Sequence, residues 1–181
     1  MKYQNGQPLL GLAPAGVLDR HSQTNFQTSG YSTQKHSFRE ALNGDIYRKL
    51  PKARMALILR LEDLMGDGSK AQTFYNVSLE HVLPQTPPEN SEWLSWFTND
   101  EEREAWTHRL ANLVPLHFRK NPAAGNYDFA KKKEVYFRHK EKDSPFLLTQ
   151  QVRNVADWTP EVLAQRQERL LAVLTKHWDL G

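Results

Sequence analysis

Apolar residues recur along this chain with two periods, and the change from one to the other divides it. From Phe38 the pattern Phe38, Leu42, Ile46, Leu50 repeats every four residues, which predicts a helix. Ser37-Phe38-Arg39-Glu40 has capping-box spacing, so the helix is expected to start there. Pro51 suits the first turn of a second helix carrying Leu57, Ile58, Leu61, Leu64 and Met65, and Gly66-Asp67-Gly68 ends it. Thr73 to Leu83 alternates loosely and reads as a strand closed by Pro84. Ser91 to Leu110 is helical, with a break near Thr98-Asn99-Asp100, and its Trp93, Trp96 and Trp106 read as core. Asn112 to Phe118 is a second short strand or turn, Pro122 to Asn126 a loop, and Tyr127 to Lys140 a basic helix that stops at Asp143-Ser144-Pro145. The last helix is the best marked. Thr159 caps it, Pro160 opens it, Glu161 lies near its positive end, and Leu163, Leu170, Leu171, Leu174 and Trp178 share a face.

This pattern predicts an α+β domain, mostly helical. Residues 1–36 form a loop-rich segment, 37–70 a helical lead-in, and 71–181 the body of the domain. At 181 residues the chain is long enough to bury a core without staples. It has no cysteine, which excludes disulfides and cysteine-ligated zinc and fits a reducing cytoplasm, the location expected here. The net charge of +3 is too small to argue nucleic-acid binding by itself. The longest apolar run, Met55 to Leu59, is far short of a membrane span, so no membrane partner is expected.

One constellation carries chemistry. Glu80-His81 leaves the first predicted strand and meets Val82-Leu83-Pro84, and Asn112 and Asn121 follow nine residues apart. A histidine at a strand end can accept a proton from water, because its pKa lies near neutrality. A divalent ion bound by a few oxygens stabilises the charge that builds on a phosphate. Glu80 and Asn121 offer such oxygens, with Mg2+ the expected ion and Mn2+, Ni2+ or Zn2+ also admitted. Asn112 suits the task of fixing the imidazole's orientation. Neighbours on a strand point to opposite faces, so Glu80 and His81 reach one ion only if the strand bends between them. Alone, His81 would read as a structural histidine and Asn112 as a turn residue. The basic run Lys131-Lys132-Lys133 would read as a solvated helix face. Lys132 and Tyr136, one turn apart, share a face, and Lys132, Arg119 and Lys120 are the candidate phosphate contacts. His108 and His117 read as partly exposed polar residues before auxiliary ligands.

These segments resemble a known family. Leu79-Glu80-His81-Val82-Leu83-Pro84-Gln85, Arg109-Leu110-Ala111-Asn112-Leu113-Val114-Pro115-Leu116, Asn121, Phe129-Ala130-Lys131-Lys132 with Tyr136, and the run from Trp158 through Arg166 to Trp178 are similar to the C-terminal nuclease domain of GmrSD-type modification-dependent restriction enzymes. The resemblance spans about residues 55–180. It implies a ββα-metal (His-Me finger, HNH-type) core embedded in helices, and metal-dependent cleavage of DNA in bacterial defence against phage. It matches His81 to the family's catalytic histidine, Asn112 and Asn121 to its two asparagines, and Lys132 to a lysine on the helix packed against the site. Ala111 stands where the family usually has glycine. Family members usually also carry an N-terminal ParB-like nucleotidase domain. Asn5-Gly6-Gln7-Pro8 is not its motif, so the chain is expected to be the C-terminal piece of a longer protein, with modified DNA as substrate. Two other readings of the same residues are a non-catalytic DNA-binding or regulatory module and a ribonuclease.

Overall fold

Two five-residue strands that lie far apart in the chain form the only sheet among the described residues. The computed structural model describes residues 33–66, 76–137 and 144–180. Strand β1 (Val77–His81) pairs antiparallel with β2 (Leu113–His117), in the register Val77 with His117, Leu79 with Pro115 and His81 with Leu113. Pro115 has no N–H to give a ladder, but in a two-stranded sheet both strands are edges and one edge of each is unpaired. The Pro115 carbonyl accepts a hydrogen bond from Thr149 Oγ1.

Both faces of this sheet are buried. On β2, consecutive residues point to opposite sides. Leu113 joins one apolar cluster with Leu42, Ile46, Ile58, Leu61, Leu148, Leu170 and Leu174. Its neighbour Val114 joins another with Val82, Leu83, Trp93, Phe97, Phe129, Tyr136 and Trp158. The molecule is therefore mostly helical, with a small two-stranded antiparallel sheet between two cores.

The lead-in contributes to the first core. Helix α1 (residues 33–43) is already helical before Ser37, so Ser37-Phe38-Arg39-Glu40 lies inside it and the expected capping box does not start it. The every-four pattern does not run through as one helix. It breaks at Gly44, and Asp45 pairs with Arg109 as an isolated bridge and caps a new helix, α2 (Ile46–Lys49), by accepting from Arg48 N–H at 2.9 Å. Leu42 and Ile46 are buried all the same, because the bend keeps them on one side. Residues 51–53 form a turn, and α3 (Arg54–Met65) runs to Gly66 with Leu57, Ile58 and Leu61 buried. Asp67, Gly68, the start of the predicted first strand at Thr73, and His139 to Asp143 lie outside the described residues.

Helices α4 (Glu92–Trp96) and α5 (Asp100–Thr107) are split where the sequence suggested, and Asn99 caps α5 through Glu102 N–H. Trp93 is wholly buried, and Trp96 and Trp106 pack against the same cluster. A 3-10 turn (Leu110–Asn112) leads into β2. The predicted loop after Pro122 contains a short helix instead, α6 (Asn121–Ala124), because Pro122 sits in its first turn and Gly125, at φ 44°, ends it. Helix α7 (Phe129–Phe137) follows. The sequence reading did not foresee α8 (Leu147–Gln150). Helix α9 (Pro160–His177) is as expected, with Thr159 accepting from Val162 N–H. Its Arg166 and Gln167 are buried and clasp the 3-10 turn: Arg166 Nε donates to Ala111 O at 3.0 Å, and Gln167 Oε1 accepts from Ala111 N at 2.8 Å. The turn is thus held from α9 with alanine at position 111, whose methyl lies in the second core. Among the described residues no helix is long and apolar enough to cross a membrane.

Candidate active site

The end of β1 is braced from both sides. Asn121, the first residue of α6, turns its amide onto the strand: Nδ2 donates to Leu79 O at 2.7 Å and to Ser78 Oγ at 3.2 Å. Asn112 holds the segment just past the strand. Its Oδ1 accepts from Leu83 N–H at 2.7 Å and from Trp158 Nε1–H at 3.0 Å. Its Nδ2 donates to Leu83 O at 2.9 Å and Thr107 O at 2.8 Å, and its own carbonyl accepts from Val82 N–H. Asn112 is fully buried, with four side-chain hydrogen bonds. It bonds the backbone after His81 and not the imidazole itself. Between these two braces stand Glu80 and His81.

Glu80 and His81 leave the strand on opposite faces, as the pleat requires. Glu80 faces α7. Lys132 Nζ lies 2.7 Å from its Oε1, and the Tyr136 hydroxyl donates to the same atom at 3.0 Å. Lys132 Nζ also donates to His81 O at 2.7 Å. Lys132 is 1% exposed, so its ammonium is turned inward, onto Glu80 and the strand end. Burial pushes the Glu80 carboxyl up, against the pull of Lys132 and Tyr136. Burial likewise pushes the Lys132 ammonium down, against the pull of Glu80.

His81 faces the lead-in. Its ring meets Tyr47 of α2 edge-on at 4.3 Å and His108, at the end of α5, edge-on at 5.3 Å. Tyr47 also stacks on His108 at 5.6 Å, and the Arg54 guanidinium lies 3.8 Å over the Tyr47 ring. Burial, then the nearby His108, Lys132 and Arg54, lower the His81 pKa to about 3, so the ring is neutral near pH 7 but a far weaker base than the near-neutral histidine expected from the sequence. His81 Nε2 and His108 Nδ1 are the buried side-chain nitrogens without a hydrogen bond among the described residues. His108 is therefore buried, not partly exposed as its sequence context suggested. Tyr47 and Arg54 were not singled out in the sequence. Nothing local marks them, since their place beside His81 depends on how α2 docks through Tyr47 N–H to His108 O.

The other expected phosphate contacts divide. Lys120 Nζ donates to Tyr136 O at 2.7 Å, which ties α6 to α7. Arg119 is exposed and lies over the exposed ring of Phe118. His117 is partly exposed at the end of β2.

The donor chemistry on the α6–α7 side suits a hard divalent cation. Glu80 supplies a carboxylate and Asn121 an amide oxygen, the ligand types such ions prefer. Both contacts to Glu80 fall on Oε1, and both from Asn121 use Nδ2, so Glu80 Oε2 and Asn121 Oδ1 carry no hydrogen bond among the described residues. The Lys132 ammonium, held by a carboxylate and a carbonyl, is a positive charge already accommodated at this spot. Among the described residues no group of three or more histidine, cysteine or acidic side chains converges on one point. Any ion here would depend on Glu80, Asn121 and water.

No curated protein matches the chain. The family model of GmrSD restriction endonucleases, C-terminal domain, matches residues 32–173, which takes in the lead-in helices as well as the strands, the asparagines and most of α9. With that match covering most of its length and the His81, Asn112 and Asn121 pattern inside it, the chain belongs to the GmrSD restriction endonuclease C-terminal domain family.

Proposed function

We propose that the chain is a divalent-metal-dependent DNA endonuclease domain of the ββα-metal, HNH type, acting in the bacterial cytoplasm as part of a restriction system against phage. Membership of the family supports a nuclease module of the restriction type. What most supports the finer reading is the bond from Asn121 to Leu79 O, by which β1, β2 and the helix after them share one corner with Glu80 and His81. In this reading Glu80 and Asn121 hold the ion through their uncommitted oxygens. A bound divalent ion supplies a Lewis acid for the phosphoryl and leaving oxygens. His81, neutral at pH 7, accepts the proton of the attacking water. Asn112 keeps the chain rigid after His81, so the ring cannot drift. Arg119 contacts the phosphate backbone. Recognition of modified DNA falls to a partner domain, a ParB-like nucleotidase module.

The test is incubation with supercoiled plasmid, modified phage DNA and RNA in Mg2+ or Mn2+. Nicked or linear DNA that disappears with EDTA is the expected result. Cleavage of RNA with DNA left intact would make the domain a ribonuclease. A second reading has one observation in its favour: Glu80 and His81 are only 4% and 6% exposed, which suits a scaffold kept for binding. It predicts salt-sensitive DNA binding with no cleavage in any metal.

A further inference from the structure

Lys132 is among the largest wholly buried side chains of the molecule, and an ammonium in such a place needs a reason. Three atoms define its seat. Glu80 Oε1 and His81 O each lie 2.7 Å from Nζ, and the Tyr136 hydroxyl shares Glu80 Oε1 at 3.0 Å. A carboxylate and a strand-end carbonyl are the oxygen set a hard cation would take. Lys132 comes from the middle of α7, whose Phe129, Val135 and Tyr136 are also buried, so its stem is fixed by packing and its head cannot swing to solvent without moving the helix.

We propose that Lys132 is the resident counter-cation of this site, a positioning residue whose ammonium competes with a divalent ion for Glu80 and so sets the affinity for metal. The inference rests on the nuclease reading for the purpose of the site. The competition presupposes the ion seat at Glu80 proposed above, and the geometry supplies the ammonium that already occupies it. A unit charge next to the ion's seat opposes a divalent ion strongly at this depth, because the surroundings screen little. Removing it while keeping the stem leaves a buried carboxylate without its partner, which destabilises the fold until another cation arrives. The bond to His81 O gives Lys132 a second task. It ties the strand-end backbone under His81 to the carboxylate, so one residue couples the two faces that the pleat separates.

The experiment is thermal unfolding of Lys132→Met, Glu80→Gln and the double variant, each with EDTA and with Mn2+, alongside plasmid cleavage. Lys132→Met should melt below wild type in EDTA and recover most of the loss in Mn2+. Its apparent Mn2+ affinity should exceed wild type by about tenfold or more. The double variant should show no Mn2+ response, since the carboxylate is gone. A Lys132→Met melting point that Mn2+ leaves unmoved overturns the proposal, even if wild type cuts DNA. Recovery in Mn2+ without DNA cleavage by wild type would uphold the counter-cation and remove the nuclease reading instead. If Lys132→Met is too unstable to purify in EDTA, Lys132→Gln gives the same comparison with a neutral hydrogen-bonding group. An identical Mn2+ response in that variant and in wild type would equally overturn the proposal.

Discussion

At the scale of residues, the two asparagines separate by what their amides do. Asn112 spends all four of its side-chain hydrogen bonds on buried partners: both backbone groups of Leu83, the Thr107 carbonyl and the Trp158 indole. Asn112→Ala leaves those groups buried and unpaired, and each such group costs about 1–3 kcal/mol. The expected loss is more than about 3 kcal/mol in urea unfolding, with activity failing because the fold fails. Asn121 Oδ1 has no hydrogen bond among the described residues, and Asn121 is only half-buried. The sequence showed both residues by their spacing, but spacing cannot tell a bracing amide from a ligand, because that depends on which backbone atoms come within reach. His81 carries a pH signature. Its pKa falls from 6.5 to about 3 on folding, so below 6.5 the unfolded chain binds the proton more readily. Its contribution is intact above pH 6.5 and lost as the pH falls toward 3, amounting to roughly 5 kcal/mol at full effect. Glu80 and Glu62 act in the opposite sense, since burial raises both and their contribution is lost as the pH rises above 4.5. Comparing wild type with His81→Ala isolates the histidine. The stability of wild type relative to the variant should fall between pH 7.5 and pH 4.5, as measured by urea unfolding, and parallel curves would show that His81 is not buried neutral.

At the scale of elements, the helices that were legible in the sequence are those stabilised by their own residues. In α9 the Thr159 cap, Pro160 and a run of leucines all agree, and its predicted start holds. The split between α4 and α5 was likewise readable from Asn99. Where the reading failed, a distant residue decides. The every-four pattern from Phe38 to Leu50 looks like one helix, but pairing of Asp45 with Arg109 breaks it. Helix α8 was missed because its cap comes from α3. The Glu62 carboxylate accepts from Leu147 N–H at 2.7 Å and Leu148 N–H at 2.8 Å, across more than eighty residues of chain. Glu62→Ala should cost about 2–3 kcal/mol through those two charge-assisted bonds. Amide hydrogen exchange at Leu147 and Leu148 should lose protection before that of α9, and unchanged protection would mean α8 does not depend on Glu62. The β1–β2 pairing was half legible. Both strands were foreseen, but their register comes from the two cores that claim alternate residues of β2.

At the scale of the whole molecule, the lead-in and the strand region share one core, which puts Tyr47 and Arg54 next to His81. Two faces of one short sheet thus hold two groups of candidate side chains, Glu80 with Lys132 and Tyr136 on one side, His81 with His108 and Tyr47 on the other. Their separation is what the proposed chemistry has to bridge, and the strand end between Asn121 and Asn112 is where a phosphate would meet both. The sequence brought Glu80 and His81 together as one candidate pair and missed this division, because alternation along β1 fixes the faces only once the packing partners are known. Proton abstraction by His81 is put to the test by plasmid nicking at pH 7.5 in Mn2+, wild type against His81→Ala, with melting points measured alongside. Wild type should convert supercoiled DNA to nicked or linear forms, and the variant should be slower by about a hundredfold or more while remaining folded. Equal cutting by a folded His81→Ala variant, or no cutting by wild type on modified or unmodified DNA in any divalent metal, would contradict it.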